Sequence, residues 1–373
     1  MKTLLFIFGT RPESIKLAPL IMELKKNKHF KIKTCITAQH REMLDQVLDF
    51  FRIKPDYDLN IMKKNQDLFS LTTQSWRKLE NVLNKTRPDM IIIEGDTTTA
   101  LISALLGFYK KIRVIHIESG LRSFNKFAPF PEEMNRILID HMADTHFAPT
   151  PAAKRNLKGE GINKAVHVVG NTGIDALRYG LKLIKKNEKK FRDFFNFIDF
   201  KKRVILVTCH RRESFGQGLK NIFNALKEIA KIYRNDVEIV LPVHLNPNVQ
   251  KIARKVLGNI PNVHLLKPLN YPHMIYLIDH SFFVLTDSGG IQEEAPTIGR
   301  PVLVVRDVTE RIEGIRAGTS KLIGTEKNRI VREIDILLKN KKTWSRMAKS
   351  IDDFGDGTSS CAIKKIIEDL VHE

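Results

Sequence analysis

Two successive series of short apolar runs, each run followed by an amphipathic stretch long enough for a helix, constrain this chain more than any other feature. A strand covered on both faces reads as a near-continuous β-branched run, whereas a connecting helix shows a 3.6-residue period. Their regular alternation specifies parallel sheets wrapped by helices. The first series predicts strands at 3–8, 31–36, 90–93, 113–117, 145–148 and 166–169. A charged, helical-looking stretch at 181–202 follows, and a second series predicts strands at 203–207, 237–241, 263–266, 282–286 and 301–305. Between strands, Leu219, Ile222, Phe223, Leu226 and Ile229 share one helical face, with Gly218 as the predicted cap. A chain of 373 residues exceeds one ordinary core. The expectation is therefore an α/β protein of two Rossmann-like, doubly wound parallel-sheet domains, residues 1–172 and 173–354, facing a cleft.

The formal charge of +20 raises the question of nucleic acid. Most of the excess lies in lysines scattered among glutamates, and no helix-turn-helix, zinc finger or interleaved aromatic strip accompanies it. The reading is a solvated basic surface that attracts an acidic small molecule, with no nucleic-acid partner. No apolar run is long enough to span a bilayer, and the N-terminal run is one strand long, so a cytoplasmic protein without a membrane partner is expected. Cys35, Cys209 and Cys361 are far apart and lack CxxC spacing, which points to neither a disulfide framework nor a zinc site. With no Walker loop, HExxH or suitably placed DxD, no metal and no cofactor are predicted.

Ligands of open parallel sheets bind beyond the carboxyl ends of the strands, so the residues just after each run are the candidates. After the first strand, FGTRPESIK places Gly9 in a tight turn and Arg11 and Lys16 near a helix start, a pattern suited to a phosphate. Asp96 follows the strand MIII and Glu118 follows RVIHI, two carboxylates at the ends of neighbouring strands. Glu132 and Glu133 open a helix behind Pro131, where either could simply complement the helix dipole. In the second series RVILVT leads to His210 and Arg211, and VEIVLPV to His244. His210 occupies the position that Arg11 takes in the first series. The run FFVLTDSGGIQEEAP ends a strand in Asp287 and Ser288, then Gly289 and Gly290 let backbone approach an anion at the following helix start. Arg311, beyond the last strand, is placed to close on a diphosphate.

The motifs FGTRPESIKLAP, TAQHREMLDQVL, PDYDLNIM, GDTTTA, ESGLR, PFPEEMNR, GNTGIDAL, HRRESFG, PVHLNPNV, TDSGGIQEEAP, RDVTER and FGDG run the length of the chain. In that order they resemble the non-hydrolysing UDP-N-acetylglucosamine 2-epimerases. The resemblance implies a GT-B arrangement, a C-terminal helix at 355–373 crossing back onto the first domain, a homodimer, and UDP-GlcNAc/UDP-ManNAc interconversion that supplies ManNAc units for surface polysaccharide. It assigns catalysis to Asp96, Glu118 and Glu132, with His210 near the leaving diphosphate. Substrate contacts fall to Arg11, Lys16, Arg136, Met274, Ser288, Gly289, Gly290, Glu294 and Arg311. Met274 stands where some relatives place an aromatic beside the uracil, and Glu294 suits the two hydroxyls of a ribose. Some relatives bind a second UDP-GlcNAc as activator. Gln39, Arg211 and His244 match that site, whereas Glu42 and Asn65 replace contacting residues.

The C2 proton of the sugar is not acidic, so inversion without a nicotinamide is expected to pass through loss of UDP to a glycal and readdition from the other face. Several carboxylates then serve as acid and base on different sides. Alternative readings are a hydrolysing 2-epimerase that releases ManNAc and UDP, a 2-epimerase of a modified UDP-sugar, and a GT-B glycosyltransferase.

Overall fold

The computed structural model describes residues 1–38, 41–61, 66–211, 215–309 and 311–372, the side chains of Glu42 and His372 excepted. The chain divides into two compact units, Met1–Tyr179 with Gly355–Glu373, and Gly180–Phe354. In the first unit the elements run β1 (Lys2–Phe8), α1 (Arg11–Leu24), β2 (Phe30–Ile36), α2 (Arg41–Phe51), β3 (Tyr57–Asp58), α3 (Leu68–Thr86), β4 (Met90–Glu94), α4 (Thr98–Tyr109), β5 (Arg113–Ile117), α5 (Glu132–Met142), β6 (Thr145–Ala148), α6 (Pro151–Gly159), β7 (Val166–Val168) and α7 (Thr172–Lys186). The second holds α8 (Glu188–Phe194), β8 (Arg203–Thr208), α9 (Gln217–Ile232), β9 (Val237–Pro242), α10 (Pro247–Leu257), β10 (Val263–Leu266), α11 (Tyr271–His280), β11 (Phe283–Thr286), α12 (Gly289–Thr297), β12 (Val302–Val304), α13 (Ile312–Arg316), β13 (Ser320–Leu322), α14 (Lys327–Lys339) and α15 (Lys341–Met347). The last helix, α16 (Ser359–His372), belongs to the first unit and packs on α1.

Among the described residues the first sheet has the order β3-β2-β1-β4-β5-β6-β7 and the second β10-β9-β8-β11-β12-β13. Every strand pairing is parallel. Both orders reverse direction once, between β1 and β4 and between β8 and β11. In a doubly wound sheet the crevice outside the carboxyl ends at that point receives the ligand.

The hydrophobic runs account for the layers. Leu4 to Phe8 and Ile91 to Ile93 are wholly buried, because helices cover both faces of the central strands. Leu5, Ile7, Ile91, Ile93, Val114 and Leu79 form one core in the first unit, while Ile205, Val207, Ile239, Phe223 and Leu285 do so in the second. Each such side chain contributes about 1.5–3 kcal/mol relative to leaving it in water. The Leu219, Ile222, Phe223, Leu226 and Ile229 face of α9 is wholly buried as the period requires. Helix starts follow side-chain chemistry: Asp67, Thr97 and Thr150 accept from Ser70, Ala100 and Ala153 backbone N–H groups.

Four local expectations change. Helix α9 begins one residue earlier than the cap placed at Gly218, with Gly216 as its N-cap at φ 82°. The unit boundary falls at 179/180, inside α7, because the first half of that helix packs with the first unit. The stretch expected to be helical over 181–202 holds the end of α7 and α8, with a break at Asn187. Strands β3 and β13 add sheet edges of two and three residues.

Gly120 joins fold to site. It has φ +83°, and a Cβ there would lie 2.4 Å from the Ala153 carbonyl oxygen, which is backbone and cannot yield. Gly120→Ala is expected to cost about 2 kcal/mol or more, lowering the thermal midpoint of the first unit by roughly 4–8 °C. A midpoint within about 1 °C of wild type in differential scanning calorimetry would contradict this.

Candidate active-site residues in the two units

In the first unit the acidic residues meet where β1, β4 and β5 end. Lys16, on α1, places its ammonium 2.9 Å from Glu94 Oε1 and against Glu118 Oε2. Lys16 was expected to meet a phosphate, and the structure brings it to these carboxylates. Glu118 reaches it from a backbone at φ +64°, left-handed for a residue that is not glycine. Such a conformation costs on the order of 1–3 kcal/mol and persists only where the surroundings enforce it. Burial pushes the Glu94 carboxyl well above its ordinary range, opposed by Lys16 and reinforced by repulsion from Glu118 and Glu13. Glu13 is itself buried and raised by burial. It accepts from the Gly9 and Thr10 N–H groups at 3.0 and 2.8 Å and from the Thr97 hydroxyl at 2.8 Å. It therefore fixes the turn that presents Arg11, which opens α1.

Asp96 lies in the turn after β4. Its side chain pairs with Arg136 of α5, and its carbonyl oxygen accepts from Asn135 Nδ2 at 2.8 Å. Arg136, expected to touch substrate, thus stands beside a candidate catalytic carboxylate. Glu132 is the first residue of α5, and its Oε2 is buried with no donor among the described residues. Its neighbour Glu133 is structural: it accepts from the Ser123 and Phe124 N–H groups at 2.9 and 2.8 Å, fixing the loop before the helix. The dipole alone does not explain Glu133.

In the second unit, β8 and β11 bring His210 and Asp287 together. His210 Nδ1 lies 3.0 Å from Asp287 Oδ1, while Asp287 Oδ2 accepts from the His210 and Arg211 N–H groups at 2.7 and 2.8 Å. Burial alone would raise Asp287, but His210 and these two N–H groups outweigh it and hold the carboxyl below its usual range. The imidazole is fixed through one nitrogen, and His244 stacks on it at 5.4 Å between centroids. Ser288 caps α12, whose first residues are Gly289 and Gly290. An added Cβ on Gly290 would meet nothing within 4 Å, and one on Gly289 would lie 3.3 Å from the Arg311 guanidinium. The helix start, its glycines and Arg311 thus form a cradle for an anion. Arg311 is oriented by Glu293, 2.9 Å from its Nε. Glu294 and Met274 are half-buried, on α12 and α11. Of the second-site residues, Arg211 and His244 lie beside His210, and Gln39 is outside the described residues.

Position at a strand end gives no site role to Glu94 or Asp287, and it does not reach His116 or Asp140. Glu94 and Asp287 sit inside motifs already singled out, and His116 interrupts the apolar run RVIHI. That interruption was the available signal. Among the described residues no cluster of three or more His, Cys, Asp or Glu side chains suits a metal ion, and no helix is long and apolar enough to cross a membrane.

Two Rossmann-type units, one gathering carboxylates around a lysine and the other pairing a histidine with a buried aspartate beside a glycine-edged helix start, define a doubly wound α/β protein. The profile of the UDP-N-acetylglucosamine 2-epimerase family matches residues 22–368. The chain is 47% identical over 380 residues to the UDP-N-acetylglucosamine 2-epimerase of Campylobacter jejuni, covering 100% of this chain and 98% of that one. The crystal structure of the Neisseria meningitidis UDP-GlcNAc 2-epimerase bound to UDP-GlcNAc superposes with a TM-score of 0.93 at 47% identity, covering 100% of both chains. That of the Methanocaldococcus jannaschii enzyme in complex with UDP-GlcNAc and UDP gives 0.83 at 35% identity, again over 100% of both. The chain belongs to the UDP-N-acetylglucosamine 2-epimerase family.

The raised carboxyl of Glu94 has a consequence for stability. An unfolded glutamate ionises near 4.5, whereas the folded one keeps its proton to higher pH, so the folded state binds the extra proton. Stability from this group is full below 4.5 and declines as pH rises toward the folded value. Glu94→Gln, which keeps the shape and cannot ionise, is expected to raise the thermal midpoint above wild type at pH 8, with the gain shrinking toward pH 4.5. A gain independent of pH, or a less stable variant at pH 8, would contradict the assignment.

Proposed function

We propose that the protein interconverts UDP-GlcNAc and UDP-ManNAc without net hydrolysis, supplying ManNAc units for a surface polysaccharide. The observation that supports the reading is the placement of Asp96 and Glu118 just after the neighbouring strands β4 and β5 and of Glu132 at the start of α5, with a buried Glu132 oxygen that has no donor among the described residues. Inversion at C2 needs a base on one face and an acid on the other, and a set of carboxylates in different surroundings supplies both.

In the forward direction a carboxylate takes the C2 proton, the C1–O bond breaks with its electron pair leaving on the β-phosphate of UDP, and a C1=C2 double bond forms. In the return step a carboxylic acid protonates C2 from the opposite face, and the UDP oxygen re-forms the bond at C1. Lys16 lies against Glu118, and Arg136 pairs with Asp96. Ser288, Gly289, Gly290 and Arg311 of the second unit hold the departing diphosphate, whose charge grows as the bond breaks. Arg11, at the start of α1, is a further substrate contact in this reading. His210, fixed by Asp287, assists at that oxygen. Glu294 accepts from the ribose hydroxyls, and Met274 packs on the uracil.

UDP-GlcNAc incubated with the protein in deuterated water is expected to give UDP-ManNAc carrying deuterium at C2, read by proton NMR and mass spectrometry. Product that keeps protium at C2 would overturn the proton-transfer route. Accumulation of free ManNAc together with UDP would overturn the non-hydrolysing reading in favour of a hydrolysing enzyme.

A further inference from the structure

Behind the three carboxylates lies a buried network that the proposed reaction does not use. His116, on β5, is wholly buried, with Nδ1 2.6 Å from Asp140 Oδ1 and Nε2 2.8 Å from the Gly95 carbonyl oxygen. The other Asp140 oxygen accepts from the Gly120 N–H at 3.1 Å and from Arg122 Nη2 at 2.7 Å. Arg122 continues to Glu160 through two bonds of 2.6 Å, and His146 Nε2 lies 2.7 Å from the Asp140 carbonyl oxygen. Burial alone would raise the Asp140 carboxyl, but His116 and Arg122 outweigh it and hold it below its usual range. A backbone carbonyl donates nothing, so both nitrogens of His116 face acceptors. A ring that donates from both would make a charge-balanced set with Asp140, Arg122 and Glu160, the condition under which ions tolerate burial.

Each end of this network touches a segment that carries a candidate catalytic group. Gly95 immediately precedes Asp96, and its left-handed turn, φ +70°, is pinned by the His116 bond. Gly120 follows Glu118 by two residues, and its carbonyl oxygen also accepts from Asn156 Nδ2 at 2.9 Å. Asp140 lies one turn beyond Arg136 and two beyond Glu132 on α5.

We propose that His116, as an imidazolium clamped between Asp140 and the Gly95 carbonyl, is the positioning residue that sets the mutual geometry of Asp96, Glu118 and Glu132. It touches no substrate. Its effect is preorganisation: displacement of a reacting group by about 1 Å slows a reaction by about a hundredfold while leaving binding of the rest of the substrate intact. The inference rests on the epimerase reading of the same carboxylates.

The test uses His116→Asn and His116→Gln. The amide nitrogen of Asn overlies imidazole Nδ1 and keeps the bond to Asp140, whereas that of Gln overlies Nε2 and keeps the bond to Gly95. His116→Asn is expected to lower kcat by about tenfold to a hundredfold with the KM for UDP-GlcNAc within about threefold. His116→Gln is expected to restore kcat to at least about a third of wild type. A kcat for His116→Asn within about twofold of wild type would overturn the proposal. So would equal losses in both variants that track their thermal midpoints, which is the mark of a merely structural residue.

Imidazole ¹⁵N NMR of the wild-type protein at pH 7.5 provides a second arm that survives if either variant fails to fold. Two protonated ring nitrogens on His116 are expected, and a neutral tautomer would overturn the clamp. That signature is read whether or not the protein turns over. Absence of UDP-ManNAc from wild type would sink the epimerase reading, and a neutral His116 would sink this one.

Discussion

Acidic side chains gathered at the ends of neighbouring strands repel one another, and the ammonium of Lys16 lets them share a buried space. Glu94 and Glu118 both reach it, and Glu13 is close enough to add to the repulsion on Glu94. Loss of the Lys16 ammonium would leave the Glu118 and Glu94 carboxyls without their shared cation, which is strongly destabilising. Burial meets the remaining imbalance by favouring the protonated form of Glu94. The carboxyl groups of this cluster thus sit in different surroundings, Glu94 buried and raised above its ordinary range, Glu118 against the ammonium.

Strand order decides where such sites arise. In both units the strand order reverses once, and the candidates flank that reversal: Arg11 and Asp96 follow β1 and β4, and His210 and Ser288 follow β8 and β11. The units then diverge in chemistry. The first surrounds its reversal with carboxylates held by a lysine and an arginine. The second places a buried carboxylate, Asp287, against a histidine and two backbone amides, and follows it with a glycine-edged helix start. A common scaffold thus carries two different side-chain sets at its strand ends, and the proposed reaction assigns proton transfer to the first and anion binding to the second.

Much of this was legible in the sequence because buried parallel strands are nearly continuous apolar runs. Strands at 113–117, 145–148 and 263–266 coincide with the observed elements, and the other expected strands differ by one residue at one or both ends. The edges β3 and β13 were not legible, since two or three residues carry no period. Helix α7 hid the unit boundary because a helix that crosses between units shows no break in its pattern. The strand-end rule reached Asp96, Glu118, His210 and Ser288. It could not reach the partners: Asp140 lies 24 residues from His116, and Asp287 lies 77 from His210. Such pairings exist only once the sheet has formed.

The central claim is that the C1–O bond of the sugar nucleotide breaks and re-forms while C2 changes hand. UDP-GlcNAc carrying ¹⁸O in the bridge between C1 and the β-phosphate tests it directly, because a freed β-phosphate exchanges its oxygens by rotation. The account expects ¹⁸O to move into the non-bridging β-phosphate positions as epimerisation proceeds, read from the isotope shift in ³¹P NMR. Epimerisation that reaches equilibrium with all the ¹⁸O still in the bridge would contradict it.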